Sequence, residues 1–146
     1  VKADATNLQF EKEFFDAVVS TDSYNYFGRD EKYLDEKLLP FVKKGGYIYI
    51  VIPGMVKDCH DNLPKELLLS WTPEQLDYMH DIEYWRDIVS KSKMSEIISI
   101  TETEGNEECW NDWLKCDNEY AINDRKAMEA GGGKYLNFIA IILRKK

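Results

Sequence analysis

The chain has 146 residues, 44% of them apolar and 13% aromatic, and carries a formal net charge of -8. That length fits one domain, and the composition is that of a chain able to bury a core rather than stay disordered. The acidic balance, with a pI near 4.8, argues against a dedicated nucleic-acid surface or a polybasic membrane anchor, and no apolar run reaches the ~18 residues of a membrane-spanning helix.

The amino end, VKADATNLQF, has neither an initiator Met nor a charged-then-apolar leader layout, and it opens within what reads as a strand end. The chain is therefore expected to be a fragment. Cysteines are few and odd in number, Cys59, Cys109 and Cys116, which suits a reduced, cytoplasmic compartment better than a disulfide framework. Cys109 and Cys116 stand two helical turns apart and read as packing residues.

Phe15 to Thr21 enclose the run Ala17-Val18-Val19. With no polar alternation, this predicts a strand buried on both faces, as in a parallel sheet. A helix is expected next, capped by Asp30 and ended by Gly45-Gly46, with Tyr33, Leu34, Leu38, Phe41 and Val42 at helical spacing. Pro40 makes its last turn irregular. Residues 47–52 predict a second buried strand, closed by Pro53-Gly54. Strand, helix, strand is a βαβ unit with parallel strands.

Residues 55–71 have no clear period. Thr72-Pro73-Glu74-Gln75 holds the parts of a helix start: Thr72 as cap, Pro73 at the first helical position, and Gln75 to complete a capping box. Asp81 caps a further helix, with Ile82, Trp85, Ile88 and Val89 on one face. A third strand is expected at 96–103, a helix over 107–129 with Trp110 and Trp113 on a stripe, a break at Gly131-Gly132-Gly133, and a last strand at 137–144.

Polar residues that follow a strand are the natural place to look for chemistry, because ligands gather at the carboxyl ends of strands in open α/β sheets. Ser20, Thr21, Asp22 and Ser23 occupy that position after the first strand, with the aromatic residues Tyr24, Tyr26 and Phe27 just beyond. Asp4 reads from spacing alone as a turn-forming residue. Gly131-Gly132-Gly133-Lys134 lacks the preceding strand, the glycine spacing and the following Ser or Thr of a phosphate loop. Cys59-His60-Asp61 holds three potential ligand types, but neighbours in sequence rarely share one metal, and no second cluster is spaced to complete a site. No metal is expected.

Taken in order, Ala3-Asp4-Ala5, Phe15-Asp16-Ala17-Val18-Val19-Ser20, and Leu38-Leu39-Pro40 through Gly45-Gly46 to Ile50-Val51 resemble the second half of a class I S-adenosylmethionine-dependent methyltransferase domain. Asp124-Arg125, Gly132-Gly133, Tyr135-Leu136 and the final strand are similar to bacterial members of that group, including cyclopropane-fatty-acid-synthase-like proteins. The resemblance spans nearly the whole chain. It implies a Rossmann-like α/β fold with a mostly parallel sheet, helices on both faces, and an antiparallel last strand inserted between the second and third. The first strand then becomes an edge through which the chain could form a homodimer.

The family's glycine-rich loop, and the acidic residue after its second strand, have no counterpart in these residues. The chain is therefore expected to be a single partial domain over residues 1–146, without the amino-terminal cofactor-binding half. The resemblance implies that S-adenosylmethionine is the cofactor, with Asp4 at the adenine amino group, Ala5 offering its backbone N–H to the ring, and Ser20, Thr21 and Asp22 lining the cleft. It implies a small-molecule or lipid methyl acceptor, Tyr24, Tyr26, Trp71 and Trp85 as a substrate cap, and His80 as the candidate base. A non-catalytic α/β interaction domain, kept for its acidic or aromatic surface, is the alternative.

Overall fold

The computed structural model describes residues Val1–Lys146. Four strands, β1 (Phe15–Thr21), β2 (Val42–Met55), β3 (Ser95–Glu102) and β4 (Leu136–Lys145), form one sheet in the order β1-β2-β4-β3. β1 and β2 are parallel, and β4 runs antiparallel to both β2 and β3. The last strand of the chain therefore lies between the second and third, as the resemblance implied, and β1 has an open edge.

Register explains which residues are core, since alternate side chains of a strand point to opposite faces. Ile48, Ile50 and Ile52 pair with Leu143, Ile141 and Ile139, and all six are buried. They share one core with Leu34, Leu38, Tyr24, Trp85 and Val89. The last two come from α3 (Ile82–Ser90) and Tyr24 from α1 (Tyr24–Phe27). A second cluster, Met55, Leu67, Trp71, Leu76, Trp110, Ala127 and Leu136, gathers at the carboxyl end of β2 under α4 (Asn106–Trp113) and α5 (Glu119–Glu129). Helices thus pack against both faces, yet part of the second face stays bare. Val19 is 73% exposed, beside Tyr49, its partner in register.

Four local expectations need correction. β1 is not buried on both faces: Asp16, Ala17 and Val19 reach solvent. The helix expected between β1 and β2 is only a wide turn at Leu34–Leu38 followed by a 3-10 turn at Leu39–Phe41. Pro40 has no N–H to continue a helix, and β2 begins at Val42, so Lys43, Lys44 and both glycines lie in the strand. Pro53-Gly54 does not close β2 either. Beyond Val51 no β1 residue faces it, so Pro53 removes no ladder bond there, and β2 continues along β4 to Met55. The single helix over 107–129 is two, because Asn118 caps a new one, its side chain accepting from Tyr120 N and Ala121 N.

The helix-start expectations hold. Thr72 Oγ1 accepts from Gln75 N at 3.3 Å and Gln75 Oε1 accepts from Thr72 N at 2.9 Å, a complete capping box on α2 (Pro73–Leu76). Asp81 Oδ1 accepts from Tyr84 N at 3.0 Å and caps α3. Thr72→Ala should lower unfolding free energy by about 1 kcal/mol in a urea titration. An unchanged midpoint would show that the cap is replaced by solvent.

Candidate functional site at the carboxyl ends of the parallel strands

The chain leaves β1 through a tight corner. Asp22 takes a left-handed backbone (φ 51°), which Asp tolerates better than most residues, and its N–H donates to Val51 O at 2.8 Å. The corner aims the next residues across the end of β2. Ser20 and Ser23 join hydroxyls at 3.0 Å, and desolvation raises the Asp22 carboxyl above its usual range. Ser20, Thr21 and Asp22 therefore come together at one strand end, where the sequence placed them.

Asp4 and Ala5 lie in a turn tied to the same side of the molecule. Asp4 Oδ1 accepts from Thr6 N and Thr6 Oγ1, both at 2.8 Å, and the backbone bond lowers its pKa. Ala5 O accepts from Tyr33 Oη at 2.8 Å. Burial, with the charge of Asp4 as the smaller cause, pushes the Tyr33 hydroxyl up to about 12. Asp4 is exposed, and Oδ2 has no partner within the chain.

The four aromatic cap candidates separate. Tyr24, Trp71 and Trp85, expected as a substrate cap, are buried in the two cores. Tyr26 is 59% exposed and its ring lies 5.0 Å from that of Tyr78. Arg29 holds this corner to the next segment: its guanidinium sits 4.5 Å above the Tyr78 ring and donates to Asp77 O at 2.8 Å and Asp77 Oδ2 at 2.7 Å.

His80 is not a surface residue of a helix. It precedes the Asp81 cap and is buried. Its carbonyl accepts from Met55 N at 3.1 Å, so the end of β2 fixes its backbone. Gly54 is required beside it, because a Cβ there would come within 2.8 Å of His80 O and 2.5 Å of Ile139 Cδ1. The His80 ring stacks on Tyr84 with centroids 3.6 Å apart and planes 11° from parallel. Nδ1 lies 2.9 Å from Asp58 Oδ2.

Sequence reasoning missed two features of this edge. The first is Asp58, whose carboxylate lies between two imidazoles: Oδ1 is 2.7 Å from His60 Nδ1, and Oδ2 faces His80. Burial works against the charged carboxylate, but bonds from His80 and His60 outweigh it and hold its pKa down to about 2. Burial also works against the charged form of His60, yet its bonds to Asp58 and Leu76 O raise its pKa overall. The spacing Asp58-x-His60 was the only signal in sequence, and the segment had no period to place it. The second feature is Asn137, 2% exposed, whose Oδ1 and Nδ2 have no partner. It pairs with Gly54 across the sheet, and no motif marks it.

Of the potential metal-binding trio read from sequence, only His60 points to this cluster. Cys59 Sγ turns toward Met55 Sδ at 3.5 Å, and Asp61 is exposed.

The sheet order, with β4 antiparallel between β2 and β3 and polar loops at the strand ends, is the arrangement that the resemblance to class I S-adenosylmethionine-dependent methyltransferases implied. The chain resembles that group in sequence as well: a family profile described as "Methyltransferase domain" matches residues 1–50. No curated protein matches the chain in sequence. Among solved structures it is similar to geranyl diphosphate C-methyltransferase from Streptomyces coelicolor A3(2), with a TM-score of 0.69 at 12% identity, covering 99% of this chain and 51% of that one. Phosphoethanolamine N-methyltransferase 2 from Haemonchus contortus gives a TM-score of 0.66 at 18% identity, covering 97% of this chain and 36% of that one. The [4+2]-cyclase SpnF gives 0.60 at 14% identity, covering 98% and 54%. The chain thus spans about half or less of the length of each of these proteins. The presence of a cyclase among them illustrates that this fold does not by itself fix the reaction.

Proposed function

We propose that the 146 residues are the carboxyl-terminal part of an S-adenosylmethionine-dependent methyltransferase domain that acts on a small-molecule acceptor. The observation that carries this reading is the profile match over residues 1–50, because that stretch contains both polar clusters, Asp4-Ala5 and Ser20-Thr21-Asp22. On this reading Asp4 Oδ2 accepts from the adenine amino group, the Ala5 N–H meets the ring, and Ser20 to Asp22 form the wall between cofactor and acceptor. Tyr26 is the aromatic residue available to the acceptor, and its face suits the sulfonium charge. The cofactor supplies an electrophilic methyl group. The chain's task is to hold the acceptor's nucleophile in line with it, and such positioning supplies much of the rate.

The partial-domain reading has a physical basis in the sheet. The open β1 edge, and the bare face around Val19 and Tyr49, are surfaces that soluble domains normally cover. We assign them to strands and helices of an upstream half rather than to a second copy of the chain. Sedimentation of the chain joined to such a half should give a monomer, whereas the chain alone should self-associate.

Calorimetric titration of the joined protein with S-adenosylmethionine tests the functional reading. Saturable one-to-one binding is expected. No binding would place the chain with the members of this fold that have other ligands.

A further inference from the structure

We propose that Asp58, His60 and His80 form a two-histidine, one-carboxylate site for a first-row divalent metal of the zinc type. The three side chains come from two separate stretches of chain, and their donor atoms lie within 4.8 Å of one another. Tetrahedral donors each ~2.1 Å from a common ion stand roughly 3.4 Å apart, and the Nδ1 to oxygen distances here are 2.7 and 2.9 Å, so each pair need open by only about half an ångström. Small movements would let an ion replace the protons now shared between the carboxylate and the two rings.

The surroundings have the form that metal sites use. A ligating imidazole typically donates its other N–H to a carbonyl or carboxylate, which fixes the tautomer and aims the free nitrogen at the metal. His60 Nε2 lies 3.0 Å from Leu76 O. A carbonyl only accepts, so Nε2 carries the hydrogen and Nδ1 is the nitrogen that faces the cluster. His80 is held by its stack on Tyr84 and by the Met55 N–H on its carbonyl. Asp58 N donates to Asp81 Oδ2 at 3.1 Å. Each ligand is therefore placed by structure that a metal would not have to build.

Imidazole nitrogen with one carboxylate favours zinc, cobalt or iron over magnesium or calcium. Three protein ligands leave a fourth position for water or for a donor atom of a bound molecule, the arrangement of reactive rather than structural zinc sites. The inference rests on these residues alone and stands or falls apart from the methyltransferase reading.

The chain contains two histidines, and both belong to the site. Titration of the full chain with zinc chloride, followed by imidazole nitrogen NMR, therefore observes it without mutagenesis. Both Nδ1 resonances should shift as one equivalent binds, and cobalt(II) should give the visible absorption of a low-coordinate site. Asp58→Asn and His60→Gln should each weaken zinc binding about 100-fold or more, whereas changing Cys109 and Cys116 to Ser should leave it unaltered. Failure of wild-type protein to bind one equivalent, or binding that leaves both Nδ1 resonances unmoved, overturns the proposal.

Discussion

Residues 1–146 alone should bind S-adenosylmethionine about 100-fold more weakly than the same residues joined to an upstream half that carries a glycine-rich loop. Asp4 and Ala5 offer two hydrogen bonds to the adenine edge, each worth about 1 kcal/mol net. Loss of about three comparable donors under the methionine and ribose portions removes roughly 3 kcal/mol, or two orders of magnitude in affinity. In the joined protein, Asp4→Ala should weaken binding roughly 5- to 10-fold. Because Asp4 Oδ1 also accepts two bonds from Thr6, Asp4→Asn serves as the partner variant. It keeps an acceptor for Thr6 while altering the free edge, so a loss common to both variants reports the ligand contact. Calorimetry on the chain alone and on the joined protein measures all of these. Micromolar binding by the chain alone would show that the adenine edge is not where its affinity lies.

Trp85→Ala should destabilise the fold by about 3–5 kcal/mol, the range for removal of a large buried aromatic side chain. Trp85 is 0% exposed, its ring packs 6.0 Å from Tyr24 and 5.5 Å from Tyr84, and it fills the main core beneath α3. Trp85 Nε1 has no hydrogen-bond partner, so Trp85→Phe leaves no polar group stranded and should cost less than half as much. Urea unfolding measures both. A residue capping a substrate would show the reverse pattern, with an unfolding midpoint near wild type and a loss confined to ligand affinity. That outcome would return Trp85 to the site and remove it from the core.

The sheet was readable in sequence wherever a strand is buried by its neighbours. The runs at Tyr47–Ile52 and Phe138–Leu143 are apolar because β2 and β4 are central, and both strands lie where composition put them. The position of β4 between β2 and β3 came from the resemblance, since periodicity holds no information on strand order. β1 shows the limit of the argument from composition. Its apolar run is the same whether both faces are covered or not, and covering depends on chain beyond its own edge. The helix expected over 30–45 failed because the spacing of Leu34, Leu38 and Phe41 fits a helix and a pair of irregular turns equally well, and Pro40 decided between them. At the site, Ser20 to Asp22 were legible because they follow a strand. The Asp58, His60 and His80 cluster was not. It is assembled by the docking of the loop before α3 against the end of β2, a tertiary contact between residues about twenty positions apart that no periodic pattern links.

Placing β4, the latest strand in sequence, in the middle of the sheet has a consequence for the order in which the molecule can form. β2 must find a partner almost a hundred positions later in the chain, as in the pairing of Tyr47 with Arg144, and β3 has no other strand to pair with. Contacts this distant in sequence slow folding, because loop closure must precede any reward from them. During synthesis, β1 and β2 can associate early, but β3 must wait with both edges unpaired until β4 leaves the ribosome. A chain stopped at Tyr135 would therefore lose the seam that joins the two sides of its sheet, and would expose long unpaired strands prone to aggregation. Pulse-labelled hydrogen exchange during refolding should show protection of β3 amides rising together with those of β4, and never before them.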